Sequence, residues 1–127
     1  MPLVRIALRR GKPSSYLAAL RNGIYTAMRE VFDVPENDRF ILVSQHDVDE
    51  FDYDPGYLGI SRSDDLVIVQ IFCNDSRTVE KKKALFKHIV EHLEASPGIR
   101  PEDVFINISE TSKINWSFGN GIAQYAL

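Results

Sequence analysis

Pro2 stands first among the residues whose type and place could do chemistry. A proline behind the initiator methionine normally permits removal of that methionine, which exposes a secondary amine at the chain terminus. An α-amino group titrates near ~8, and burial in apolar surroundings lowers that further. Such an amine can act as general base, general acid or Schiff-base nucleophile. Pro2 falls on the same alternating face as Val4, Ile6 and Leu8, which predicts an apolar setting. The other reactive types read more plainly. Cys73 follows an apolar run without a histidine partner in view and reads as an inert thiol. His88 and His92 sit four apart and could grip a metal, but Glu91 and Glu94 beside them mark a solvated helix face. His46 reads as a structural histidine. The acidic run Asp47, Asp49, Glu50, Asp52 and Asp54 has Asp52 where a calcium loop needs glycine, so it reads as a solvated hairpin. Lys81–Lys83 is a helix surface, and no glycine loop could cradle a phosphate. The expectation is an enzyme or module with neither metal nor cofactor.

The elements that must position Pro2 follow from periodicity. Leu3–Leu8 alternates as a strand, and Gly11-Lys12-Pro13 breaks it, with Pro13 suited to the first turn of a helix. Leu17, Leu20, Ile24, Met28 and Val31 then form one helical stripe, which Asp33-Val34-Pro35 stops. Arg39–His46 is a second strand. From Leu66 the pattern repeats: LVIVQIFC reads as a strand apolar on both faces, as a doubly covered strand is. Asn74, Asp75, Ser76 and Thr78 are candidate N-caps for a helix whose stripe is Leu85, Ile89 and Leu93, widened by Phe86 and Val90. Ser96-Pro97-Gly98 ends that helix, and Asp103–Ser109 is the fourth strand. The halves also match in detail. Leu3-Val4 pairs with Leu66-Val67 at an offset of 63, and the run from Pro35 pairs with that from Pro101.

A duplicated β-α-β unit implies an α+β fold: a four-stranded sheet with two helices on one face. The chain of 127 residues reads as one domain, with units at about 2–46 and 66–110, a linker hairpin at 47–65 and a tail at 111–127. The apolar stretch Val67–Phe72 cannot face water, so an oligomer is expected to cover the open sheet face. Asn115–Leu127 is expected to pack as short strands or a lid. Composition bounds the rest: 44% hydrophobic and 26% charged residues exclude disorder, and one cysteine excludes a disulfide framework. Fifteen basic against eighteen acidic residues give a net charge of −3, with no excess to hold nucleic acid. The apolar runs are too short for a membrane span and the N-terminus lacks signal-peptide features, so a cytoplasmic location is expected.

MPLVRIAL, VFDVPENDRF, RSDDLVIVQI, the helix after Ser76-Arg77-Thr78, GIRPEDVFINI and NWSFGNG together resemble the tautomerase superfamily, in particular its malonate semialdehyde decarboxylase group. The resemblance runs nearly end to end. It implies a tautomerase-like β-α-β fold, a trimer, and a catalytic N-terminal proline at Pro2. It implies that Asp38, just before the second strand, activates water or holds the charge state of the amine. It implies that Arg77 holds a substrate carboxylate, in a region where some members show two arginines and this chain has one. It also implies that Trp116 and Phe118 form an apolar wall. The activity so implied is decarboxylation of a small 3-oxo acid, with hydration as a side reaction. The alternatives are a keto–enol tautomerase of a 2-oxo acid and a non-catalytic ferredoxin-like binding module.

Overall fold

The structure is a computed structural model that describes residues 2–127. Loss of Met1 therefore lies outside the described residues. Strand β1 (Pro2–Arg9), helix α1 (Ser14–Val31) and strand β2 (Phe40–His46) form the first unit, and β3 (Val67–Asn74), α2 (Val79–Ala95) and β4 (Val104–Thr111) the second. The sheet order is β2-β1-β3-β4. β1 and β2 run parallel, β3 and β4 run parallel, and β1 meets β3 antiparallel with Pro2 opposite Cys73. Both helices cover one face, as the duplicated pattern predicts.

Alternation along the strands decides what is buried. Val4, Ile6 and Leu8 of β1, with Val67, Val69, Ile71 and Cys73 of β3, point to the helices and are sealed. Leu20, Ile24, Ala27 and Met28 of α1 meet Leu85, Ile89 and Leu93 of α2 over them. Phe86, expected to widen that stripe, is 36% exposed. The helices approach closely at Gly23, where an added Cβ would stand 2.9 Å from Leu93 Cδ2. Thr78 is the N-cap of α2, its Oγ1 accepting from the Lys81 N–H at 3.2 Å. Pro13 stands one residue ahead of α1 rather than inside its first turn, and its carbonyl accepts from Tyr16 N at 3.0 Å.

The opposite sheet face has no helix among the described residues. Phe40 and Leu42 are each 52% exposed there and Phe105 is 46% exposed. Within the chain β3 is covered on one face alone, because Val67, Val69 and Ile71 face the helices. Only alternate residues, Ile68, Gln70 and Phe72, take the open side.

Segment 47–65 is not a hairpin. It holds 3-10 turns at Val48–Glu50 and Tyr57–Gly59 and no strand. Arg62 gathers the carbonyls of Asp54, Tyr57 and Ile60, at 3.4, 3.0 and 3.3 Å, so side-chain donors replace a ladder. The tail likewise has 3-10 turns, at Lys113–Asn115 and Gln124–Ala126, and no strands. No helix among the described residues is long and apolar enough to cross a membrane.

Candidate active site

Register alone gathers the sequence-selected residues at one end of the sheet. β1 begins at Pro2, and its parallel neighbour β2 begins beside it, with Leu3 opposite Phe40 and Asp38 just ahead. The antiparallel β3 ends there, Cys73 opposite Pro2, and leads through Asn74 to Arg77. β4 ends there too, Thr111 opposite Asn74, and leads into the tail that carries Trp116 and Phe118.

Pro2 is buried on the helix side of the sheet, as its alternation predicts. Its cross-strand partner Cys73 is fully buried, and burial pushes that thiol above its usual range. This keeps it protonated and unreactive near neutral pH. Thr111 Oγ1 accepts from the Trp116 indole N–H at 2.9 Å, so the end of β4 holds the indole in place. Trp116 stacks on Phe118 with ring centres 5.6 Å apart, and Phe118 meets Tyr125 edge-on at 4.8 Å. Gln124 ties this tail together, accepting from Phe118 N and donating to Gly119 O, both at 2.9 Å.

Two clefts meet at Phe40 and Phe118. One, of about 310 Å³, is lined by Leu3, Phe40, Asn115, Trp116, Ser117 and Phe118. The other, of about 180 Å³, is lined by Asp38, Phe40, Phe118 and Tyr125. Asp38 and the aromatic wall thus share a space, next to the residue that follows Pro2.

Arg77 borders neither of these clefts. Its Nη1 donates to Asn74 Oδ1 at 2.9 Å and Ser76 Oγ at 3.3 Å, and its Nη2 donates to the Phe32 carbonyl at 3.1 Å. The guanidinium also lies over the Phe32 ring, 4.9 Å from its centre. These contacts engage both terminal nitrogens and fix the plane of the guanidinium. Arg77 is therefore a half-buried cation preset by the C-terminal end of α1.

Two residues of this region escape a reading of the sequence. Tyr125 feels both charges: burial and the Asp38 carboxylate raise its hydroxyl above the usual range, against an opposing pull from Arg77. Thr111 orients the indole. Only the aromatic richness of the tail hinted at either. His46 sits at the other end of β2, 6.0 Å from the Phe51 ring, and so is remote from this end of the sheet.

Comparison with known proteins places this geometry. The chain matches family descriptions reading "Tautomerase enzyme" over residues 38–119 and over residues 2–53. The probable tautomerase YusQ of Bacillus subtilis (strain 168) is 42% identical over 124 residues, covering 98% of each chain. A solved malonate semialdehyde decarboxylase, described with decarboxylase and hydratase activities, is 33% identical, with a TM-score of 0.91 over 97% of this chain and 95% of that one. Another, inhibited by 3-bromopropiolate, is 36% identical, with a TM-score of 0.90 over 97% of this chain and 93% of that one. A non-catalytic binding module is thereby set aside. The chain belongs to the tautomerase superfamily of enzymes and is closely similar in structure to its malonate semialdehyde decarboxylases.

Proposed function

We propose that this chain decarboxylates a small 3-oxo acid without a cofactor, using the free amine of Pro2. The observation that carries this reading is the convergence of Pro2, Asp38, Arg77 and the Trp116–Phe118 wall on one end of the sheet. With Met1 removed, the cationic amine hydrogen-bonds the substrate carbonyl. Arg77 holds the carboxylate, twisted so that the breaking C–C bond overlaps the carbonyl π system. The bond breaks, CO₂ leaves, and its electron pair becomes an enolate stabilised by the ammonium. A proton returned to the α-carbon completes the carbonyl product. A Schiff base at Pro2 offers the same electron sink. Trp116 and Phe118 exclude water, which favours loss of charge as CO₂ departs. Asp38 positions water, and the same arrangement hydrates activated unsaturated acids as a side reaction.

A homotrimer in the cytoplasm completes the proposal, with the exposed Phe40, Leu42 and Phe105 as the surface it covers. A second reading, keto–enol tautomerisation of a 2-oxo acid, is favoured by the name of the 42% identical relative. There Pro2 is a base and must be neutral. The test begins with the intact mass, which shows whether Pro2 is free, and with a titration of its amine. Protonation at pH 7 together with CO₂ release from 3-oxo acids supports the decarboxylase. A neutral amine with turnover of 2-oxo acids alone supports the tautomerase. Retained Met1 in an active preparation sinks both.

A further inference from the structure

We propose that Glu30, His88 and His92 bind one divalent transition-metal ion of the zinc class, bridging α1 and α2. The histidines, four apart on α2, lie one turn above the other on the same face. On α2 alone they read as a solvated pair. The third donor comes from the other helix. Glu30 Oε1 lies 2.6 Å from His92 Nε2 and 3.3 Å from His88 Nδ1. All three donor atoms fall within 4.8 Å of one another.

A tetrahedral ion with bonds of about 2.0–2.2 Å sets its donors roughly 3.3 Å apart. The His88 contact already has that spacing, and the His92 contact must open by about 0.7 Å to reach it. The three side chains are between 34% and 45% exposed, so rotamer adjustment suffices without moving a helix. Two imidazoles and one carboxylate suit zinc, nickel, cobalt or copper. Magnesium and calcium, which prefer oxygen shells, suit it poorly. Three protein ligands leave a coordination position for water.

The placement gives the site a physical role. The helices run side by side from the close approach at Gly23 to the Lys81–Asp33 ion pair, and the Phe32 carbonyl on that seam holds Arg77. An ion between Glu30 and the histidines ties the seam midway. It touches none of Pro2, Asp38, Arg77, Trp116 or Phe118, so the proposal stands apart from the Pro2 chemistry.

The test uses the full chain without an affinity tag, stripped with a chelator and titrated with zinc chloride by calorimetry. Cobalt(II) serves as the spectroscopic probe. One saturable ion per chain is expected, with visible cobalt bands of a nitrogen- and oxygen-ligated site. Zinc at ten times its Kd should raise Tm by about 5 °C. His88→Ala, His92→Ala and Glu30→Gln should each weaken binding at least tenfold, and the double variant His88→Ala/His92→Ala should abolish the Tm rise. His46→Ala, the remaining histidine, should change nothing. Absence of saturable binding overturns the proposal. So does binding undiminished in Glu30→Gln or in the double histidine variant.

Discussion

The two β-α-β units share a backbone plan but differ in what their matching positions hold. At an offset of 63, Pro2 answers to Asp65 and Arg77 to Ser14. Asp65 hydrogen-bonds Lys12 at 2.6 Å, which holds that ammonium above its usual range. The aspartates ahead of β2 and β4 diverge as well. Asp38 opens onto a cleft shared with Tyr125 and Phe118. Asp103 is 1% exposed, and its oxygens accept from Ser63 N at 2.7 Å and Ser63 Oγ at 2.6 Å. One copy of a turn aspartate became a candidate catalytic group and the other a structural pin. Because β1 and β3 are antiparallel, the two sets lie at opposite ends of the sheet. Duplication supplied two equivalent ends, and the candidate site occupies one.

Substitutions made in pairs break or sharpen that contrast. Pro2→Ala should lower kcat/KM about 1000-fold on the substrate the enzyme turns over, in steady-state kinetics with fold checked by circular dichroism. Wild-type turnover in that variant removes the asymmetry altogether. Asp38→Asn should cost about 100-fold in kcat with Tm nearly unchanged. Its counterpart Asp103→Asn should do the reverse, lowering stability by about 2 kcal/mol in urea while folded molecules keep their turnover. Arg77→Ala should raise KM about 30-fold, the worth of a charge-assisted contact. Thr78→Ala removes the α2 cap and should cost about 1 kcal/mol, read as a lowered urea midpoint. Smallest of all, Asp65→Asn breaks an exposed ion pair and should change stability by less than about 1 kcal/mol and turnover not at all.

Much of this contrast can be read from the chain alone. Strict alternation from Pro2 to Leu8 and the stripes at Leu20–Met28 and Leu85–Leu93 dictate strand, helix and buried face, since each is a local period. The duplication predicts that the two units merge into one sheet, but that β1 and β3 meet antiparallel at its centre is seen only in the structure. Segment 47–65 misleads because its glycine and proline signal a turn without saying what flanks it. Arg62 then closes it through carbonyls that no pattern announces. LVIVQIFC looks doubly buried, yet its odd and even positions meet different surroundings, helices on one side and an open face on the other. The roles proposed for Arg77, Asp38 and the aromatic wall come through family resemblance rather than spacing. Tyr125 and Glu30 are the clearest omissions. Each matters through neighbours far away in sequence, Arg77 for the one and His88 and His92 for the other, and periodicity carries no information about such encounters.

The Gln124 clasp gives the wall of the cleft an independence that the rest of the site lacks. Pro2, Asp38 and Arg77 are set by strand ends or by the α1 terminus, elements that also carry the core. Trp116, Phe118 and Tyr125 ride on a tail of irregular turns, tied by the Gln124 amide and the Thr111 hydroxyl beside the turns' own backbone bonds. Mutation can resize or reshape that wall without touching the amine proposed to react. Substrate range in such a fold is thus free to drift while its central chemistry stays put.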